Sequence, residues 1–108
     1  MNKKNSLIWN NDYVQQLVAV LASIDNASSM RNFLQDVMTE KEITEVSARL
    51  KAAQMLRMGA KYTEIIKATK LSSRTVARIS DWLQNGTGGY EAALEFSKHH
   101  AHRPPARA

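Results

Sequence analysis

The stretch from Lys61 to Leu83 constrains the fold of this chain more than any other feature of the sequence. Its apolar residues recur at helical spacing in two groups, one on each side of a polar break: Ile65, Ile66 and Ala68, then Val76, Ile79 and Leu83. Ser72 lies in the break and can cap the second group, because its hydroxyl accepts from the free backbone N–H groups at the start of a helix. The stretch therefore predicts two short helices, about 62–69 and 73–84, joined by a turn.

Positive charge is concentrated over the same part of the chain. Residues 49–78 hold eight of the 15 Lys and Arg residues against a single acidic residue, Glu64, so this segment has a formal charge of +7 while the whole chain has +5. The basic residues are Arg49, Lys51, Arg57, Lys61, Lys67, Lys70, Arg74 and Arg78. A local basic zone over two short helices is typical of a phosphate-binding surface. The alternative is a basic face that is only solvated.

A longer helix is predicted before this stretch, over 40–58. Thr39 and Glu42 form a T-x-x-E capping box at its start, and Gly59 stands where a left-handed residue would end it. Its apolar residues fall on two sides: Ile43, Val46, Leu50 and Ala53 on one, and Ala48, Ala52, Met55 and Leu56 on the other. A helix that is apolar on two sides lies between neighbours, and in so short a chain one neighbour can come from a second subunit.

Three further amphipathic helices complete an all-α prediction. The spacing predicts helices over 10–24, from about Ser29 onward, and from Tyr90 to about Lys98. We expect one domain over residues 1–98. We also expect a disordered tail over 99–108, because that segment is polar and contains prolines.

The sequence offers no constellation of residues for catalysis or metal binding. Cysteine is absent, the three histidines are confined to residues 99–102, and caps or exposed helix faces explain most carboxylates. We therefore expect no enzyme, no metal and no cofactor. No apolar run approaches the roughly 20 residues of a membrane span, and the first residues lack the apolar region of a signal peptide. The sequence thus predicts a cytoplasmic protein without a membrane partner.

These features together predict a helix-turn-helix that reads DNA. The N-terminal end of the second helix is the part that normally enters the major groove. Arg74 is the candidate for a base edge, because arginine donates two parallel hydrogen bonds to guanine, whereas the lysines neutralise phosphates. The predicted DNA-binding residues are Lys61, Lys67, Lys70, Ser72, Ser73, Arg74, Thr75, Ala77 and Arg78.

Two residues depart from the general helix-turn-helix pattern. Ile66 stands where alanine or glycine is usual, and Lys70 replaces the glycine of the turn. A lysine in the left-handed conformation costs about 1 kcal/mol. The sequence therefore predicts a turn that is wider than usual, or an earlier end of the first helix.

The segment from Thr39 to Leu83 resembles the Trp repressor family and, more narrowly, the YerC/YecD branch of Trp repressor-like regulators. The resemblance rests on the long capped helix, the L-R-x-G turn at 56–59 and the T-V-A-R pattern at 75–78. It implies an all-α, six-helix domain that forms an intertwined homodimer and presents two helix-turn-helix units to near-palindromic DNA. The implied function is that of a sequence-specific transcriptional regulator, a repressor that occludes promoter DNA.

The resemblance also implies an effector site, which this chain matches in part. Arg49 and Arg78 match the two arginines that flank the corepressor, and Thr39 matches a threonine supplied by the other subunit. Ile79 and Trp82 replace a glycine and a serine at positions of close approach, which argues against L-tryptophan as the ligand. Trp82 is a candidate for a built-in plug. A small-molecule effector would then be a different compound, held near these five residues.

The rival prediction is a dimeric interaction module whose basic surface binds nucleic acid without sequence preference, or binds an acidic protein partner. Both predictions imply affinity that falls steeply with salt. Only sequence-specific binding adds a component that resists competitor DNA.

Overall fold

The computed structural model describes residues 7–100, and within them the chain forms helices and no strands. A short 3₁₀ turn, Leu7–Asn10, precedes six α-helices: α1 Asp12–Ser23, α2 Ala27–Val37, α3 Glu40–Arg57, α4 Tyr62–Thr69, α5 Ser73–Asn85 and α6 Gly89–His100. The predicted all-α, six-helix fold is confirmed for the described residues. They divide into two compact units, 7–45 and 46–100.

In the first unit, side-chain caps decide where each helix begins. The Asn11 side chain accepts from the backbone N–H of Tyr13 at 2.7 Å, and Asn26 accepts from that of Ser29 at 2.8 Å. Because Asn26 is the cap, α2 begins at Ala27, two residues earlier than predicted.

The start of α3 confirms the predicted capping box. Thr39 N–H donates to Glu42 Oε1 at 2.9 Å, and Glu42 N–H donates to Thr39 Oγ1 at 3.1 Å. The two residues thus satisfy each other's backbone donors, as the T-x-x-E pattern requires.

The first unit buries no residue fully among those described. No residue of α1 or α2 is buried, and Tyr13 is 83% exposed. The exposed large apolar residues of this unit are Leu7, Ile8, Trp9, Tyr13, Leu17, Val18 and Val37. These large apolar side chains are therefore left in contact with solvent in the single chain.

The second unit holds the hydrophobic core. Its buried residues come from α3, α4, α5 and α6, and they are Ala52, Ala53, Ile65, Val76, Ile79 and Leu94. Partly buried apolar residues surround them, including Leu71, Trp82, Leu83 and Tyr90. The core thus lies behind α4 and α5, and the outer faces of these two helices are left exposed.

Gly59 ends α3 in the predicted left-handed conformation, with φ of +85°. Gly59 N–H donates to Leu56 O at 3.0 Å, and Ala60 N–H donates to Met55 O at 3.0 Å. These two hydrogen bonds form the Schellman motif, which ends α3 and directs the chain towards α4. The last helical residue is Arg57, one before the predicted end.

The two apolar sides of α3 differ in what covers them. Ala52 and Ala53 are fully buried in the core of the second unit, whereas Val46 and Leu50 are 55% and 42% exposed. Ala53 lies in the core although its spacing grouped it with Val46 and Leu50. The core of the second unit therefore covers the side of α3 that carries Ala52 and Ala53, whereas Val46 and Leu50 remain exposed to solvent.

The last helix is longer than predicted. α6 continues to His100, so His99 and His100, which were assigned to the tail, belong to the helical backbone. The rest of the predicted tail, 101–108, lies outside the described residues, and the single-domain boundary at residue 98 stays a prediction.

Candidate nucleic-acid interface

The first helix of the candidate interface, α4, begins at Lys61 with half of a capping box. The carboxylate of Glu64 accepts a hydrogen bond from the backbone N–H of Lys61 at 3.0 Å. The lysine side chain is left to solvent because an ammonium group has no acceptor with which to cap the helix. Glu64, the single acidic residue between 49 and 78, is therefore engaged in local structure at the start of α4.

The turn between α4 and α5 comprises residues 70–72, and Lys70 takes the left-handed conformation with φ of +65°. The expectation of a wider turn or an earlier end of α4 is therefore wrong. Lys70 N–H donates to Ile66 O at 2.8 Å, and Thr69 Oγ1 donates to Ile65 O at 2.7 Å. Leu71 then packs against the core. Core contacts and hydrogen bonds on both sides of the turn offset the strain at Lys70.

Ser72 caps α5 as predicted. Its hydroxyl oxygen accepts from the backbone N–H of Thr75 at 3.0 Å and donates to Thr75 Oγ1, also at 3.0 Å. Thr75 is half-buried, whereas Ser72 is exposed. Both hydroxyl groups therefore stabilise the first turn of the helix that is predicted to enter the major groove.

The two faces of α5 separate cleanly by burial. Val76 and Ile79 are fully buried, whereas the opposite face is exposed. The exposed residues of this outer face include Ser73, Arg74, Ala77 and Arg78, and Asp81 follows one turn further along. The structure thus brings the four residues predicted for the outer face onto one accessible surface.

Five basic side chains of α4, the turn and α5 are exposed: Lys61, Lys67, Lys70, Arg74 and Arg78. The two ion pairs that Arg57 forms with carboxylates of α6 lie outside this set. None of the five basic side chains forms an ion pair with another described residue, so their positive charge is available to attract a polyanion. We refer below to these five residues as the basic face.

Arg57 does not belong to the basic face, although it was counted in the basic run of the sequence. Its guanidinium pairs with two carboxylates of α6, through Nε to Glu91 Oε1 at 3.1 Å and through Nη2 to Glu95 Oε2 at 2.7 Å. The hydrogen bond to Glu95 raises the pKa of Arg57 above its ordinary value. Arg57 therefore joins α3 to α6.

The residues predicted for an effector site occupy different environments. Ile79 is fully buried and packs in the core, so it presents no surface to a ligand. Trp82 is half-buried and packs against the same core. Thr39, in the first unit, is exposed and its hydroxyl serves the α3 cap. Arg78 is exposed on the outer face of α5.

Arg49, the remaining effector candidate, is half-buried and lies near Tyr90 of α6. Burial raises the pKa of the Tyr90 phenol, and the positive charge of Arg49 opposes part of that rise. Sequence reasoning missed Tyr90 as a neighbour of this arginine, since 41 positions separate the two in the chain. The acidic pair on α6 was missed for the same reason, although its four-residue spacing places both carboxylates on one helical face.

The described residues contain no cluster of three or more His, Cys, Asp or Glu side chains that could hold a metal ion. Across the same residues, no helix is both long and apolar enough to cross a membrane.

Comparisons with known proteins agree with this geometry. The family model for the Trp repressor protein matches residues 12–98. YerC, an uncharacterised protein of Bacillus subtilis, is 33% identical over 85 residues, which cover 79% of this chain and 82% of YerC.

Two solved structures are similar over most of their length. A TrpR-like protein from Eubacterium eligens is 29% identical, with a TM-score of 0.79, and the match covers 86% of this chain and 96% of that one. A candidate Trp repressor from Staphylococcus aureus is 26% identical, with a TM-score of 0.75, and the match covers 82% of this chain and 88% of that one. The six-helix architecture is thus shared over most of each chain.

Proposed function

The chain belongs to the Trp repressor family, and on that premise we propose that it is a sequence-specific DNA-binding transcriptional regulator that represses by occluding promoter DNA. The observation that carries the proposal is the outer face of α5. This face follows a capped N-terminus, is exposed opposite a buried apolar side, and carries two arginines. A helix that is anchored behind and basic in front has the form of a major-groove reader.

The residues of the interface divide into two roles. Arg74, in the first turn of α5, reads a guanine through paired hydrogen bonds to O6 and N7. Lys61, Lys67 and Lys70 neutralise phosphates and set the orientation of the domain on the duplex. Their exposure and their lack of carboxylate partners among the described residues support this division.

The remaining predicted contacts surround Arg74. Ser72, Ser73 and Thr75 lie at the capped start of α5, where backbone and hydroxyl donors can meet a phosphate. Ala77 and Arg78 lie one turn further along the same face. A small residue at 77 allows close approach of the helix to the bases, and Arg78 adds a second donor group.

We also propose that the protein acts as a homodimer in the cytoplasm. The apolar residues that are exposed on α1, α2 and α3 support this proposal, because a single copy leaves them in water. A second copy would cover them and would present two basic faces to two half-sites. The mass in solution, measured by sedimentation equilibrium, should be twice that of the 12.1 kDa chain.

A charge placed on the open side of α3 tests the dimer. Leu50→Glu should shift the mass towards the monomer, because it introduces a carboxylate among apolar side chains. Thr44→Glu is the matched control, since it adds the same charge to the same helix but at a position that points away from Val46 and Leu50 at 100° per residue. Equal masses for the two variants would contradict an interface on this side of α3.

A small-molecule effector, if the protein has one, is proposed to act near Arg49 and Arg78 and to be a compound other than L-tryptophan. Ile79 is fully buried and Trp82 packs against the core, so the chain itself supplies bulk at both positions of close approach. Calorimetric titration with L-tryptophan should therefore show no saturable heat. Stoichiometric binding would contradict the proposal.

The decisive experiment measures DNA affinity against salt concentration, with and without competitor DNA, for duplexes recovered by selection from a random pool. Arg74→Ala should abolish the preference among sequences while bulk affinity falls only moderately. Lys67→Ala is the control, because loss of a phosphate contact should weaken all sequences about equally and reduce the salt slope by about 0.9.

Two results would count against sequence-specific binding. If competitor DNA displaces all binding by the unmodified protein, the basic face binds nucleic acid without preference, as the rival prediction states. If Arg74→Ala weakens every sequence equally, Arg74 contacts a phosphate instead of a base.

A further inference from the structure

We propose that Arg57, Glu91 and Glu95 form a clamp that positions the recognition helix α5 from behind, so that Arg57 supports DNA binding without contacting DNA. The inference rests on the proposed function and assigns a role to Arg57, a cation of the basic run that pairs with two carboxylates. Arg57 bridges two carboxylates one helical turn apart, at 3.1 Å and 2.7 Å. A guanidinium is suited to this task because its donors are fixed in a planar fork.

The clamp connects the two ends of the helix-turn-helix. Arg57 is the last residue of α3, and the Gly59 turn immediately after it leads to Lys61, where α4 begins. The two glutamates lie on α6, which packs against α5 and contributes Leu94 to the core beside Val76 and Ile79. The ion pairs therefore join the end of α3, which leads into α4, to α6, which packs against α5.

The chain connection between α5 and α6 does not fix α6 by itself. It consists of Gly86, Thr87 and Gly88, and Gly88 has a φ of +87° with no atom near the place of a missing side chain. Glycine-containing connectors leave many backbone conformations accessible. Side chains therefore help to place α6, and among them are the buried Leu94, the half-buried Tyr90 and the Arg57 clamp.

The electrostatics of the helix ends also favour this pairing. Arg57 lies in the last turn of α3, where the carbonyl groups carry partial negative charge, and Glu91 lies in the first turn of α6, where the N–H groups carry partial positive charge. Each side chain thus stabilises its own helix end as well as the pair. The Arg57–Glu91 pair thus lies where α3 ends and α6 begins.

The test compares variants that change the net charge in opposite directions. Arg57→Met removes one positive charge, whereas Glu91→Gln combined with Glu95→Gln removes two negative charges. If these residues acted on DNA only through their charge, the first variant would weaken binding and the second would strengthen it. The clamp predicts instead that both weaken binding, by about two- to fivefold, as expected for loss of an exposed ion-pair network.

Two further measurements separate positioning from phosphate contact. The slope of log affinity against log salt should be unchanged in Arg57→Met, whereas loss of a phosphate contact would reduce it by about 0.9. Combining all three substitutions should weaken binding no further than the weaker-binding of the two parent variants, because the same interaction is removed. Lys51→Met is the matched control, since it removes the same charge from the same helix and its side chain bonds to Gln54 and not to a carboxylate.

Hydrogen exchange on the free protein keeps the clamp testable apart from DNA binding. The amides of α6 should exchange faster in Arg57→Met and in the double glutamine variant, and at the parent rate in Lys51→Met. If the protein binds no DNA but shows this exchange pattern, the proposed function is wrong, and so is the role of Arg57 in DNA binding. The positioning of α6 by the Arg57 ion pairs would still be supported. Opposite shifts in affinity for the two variants, or unchanged exchange in α6, would overturn the clamp.

Discussion

Ser72 and Thr75 are joined by two hydrogen bonds at the start of α5, one from the Thr75 backbone N–H to Ser72 Oγ and one from Ser72 Oγ to Thr75 Oγ1, each 3.0 Å long. The pair fixes the first turn of the proposed recognition helix. Arg74 lies between them in the chain and is exposed. The stability of this turn and its proposed contact with DNA are therefore two separable properties of neighbouring residues.

Removing the cap at Ser72 should destabilise the protein. Ser72→Ala leaves the Thr75 N–H without its side-chain acceptor, and we expect the free energy of unfolding to fall by about 1 kcal/mol in urea denaturation. Ser72→Asp is the control, because its carboxylate restores an acceptor and suits the N-terminus of a helix. The aspartate should keep stability and still weaken DNA binding, since it brings negative charge to the interface. Equal stability of the alanine variant and the unmodified protein would contradict the role of the cap.

Replacing Lys70 by glycine should stabilise the fold and weaken DNA binding. Lys70 has φ of +65°, a conformation that costs a residue with a side chain about 1 kcal/mol and costs glycine little. The gain should appear as a higher midpoint of thermal unfolding. Lys67→Gly is the matched control, because it removes the same charge from within α4 and should lower stability by about 1 kcal/mol. Shifts of the same sign in both variants would show that charge, and not backbone strain, sets the effect.

Adding one methyl group at Gly86 should destabilise the end of α5. A Cβ atom at this position would overlap the carbonyl oxygen of Trp82 and lie 3.2 Å from its carbonyl carbon. Both are backbone atoms that cannot rotate away, so we expect Gly86→Ala to cost about 1–3 kcal/mol in chemical denaturation. Gly89→Ala is the control, because the nearest atom to its added Cβ is Thr87 Oγ1 at 4.0 Å. Comparable losses in both variants would contradict the steric explanation.

The stability of the protein should fall at high pH partly through Tyr90. Burial raises the pKa of this phenol, so the folded state favours the neutral form more than the unfolded state does. The contribution of the neutral Tyr90 phenol to stability is therefore fully present below the pKa of about 10 that tyrosine has in the unfolded state. It is lost as the pH rises through the higher pKa of Tyr90 in the folded state. Tyr90→Phe should lose less stability than the unmodified protein between pH 9 and 11, by urea denaturation at each pH. Parallel pH profiles would contradict the assignment.

Local signals in the sequence predicted much of the helical framework. Thr39 with Glu42, Gly59, and Ser72 each act on backbone groups within a few residues, and the structure confirms all three. A cap of this kind depends on the side chain and on the few residues next to it. For this reason the starts of α3, α4 and α5 lie at the predicted residues, whereas α2 begins two residues early at a cap that the spacing alone did not indicate.

The turn at Lys70 shows where a local rule gives the wrong result. Conformational preference alone predicts that a lysine avoids the left-handed region, yet the chain adopts it there. Leu71 on one side and Ile65 on the other are held by the core, and these contacts hold the backbone between them in place. A penalty of about 1 kcal/mol is small beside the full burial of the Ile65 side chain, which is worth roughly 1.5–3 kcal/mol, and partly buried Leu71 adds to it.

The sequence by itself determined the helices, their caps, the basic character of residues 49–78 and the family, because each of these depends on spacing, local hydrogen bonding or composition. Only the tertiary structure decided that Arg57 pairs with α6 instead of facing outward, that Ile79 lies in the core, and that Tyr90 lies near Arg49. Arg57 is 34 and 38 positions from Glu91 and Glu95, and Arg49 is 41 positions from Tyr90. The core around Ile79 likewise takes residues from α3, α4, α5 and α6, and the packing of these helices brings the distant positions together. The spacing of residues along the chain does not indicate such contacts. The fold therefore decides which of these side chains are buried and which charges are paired.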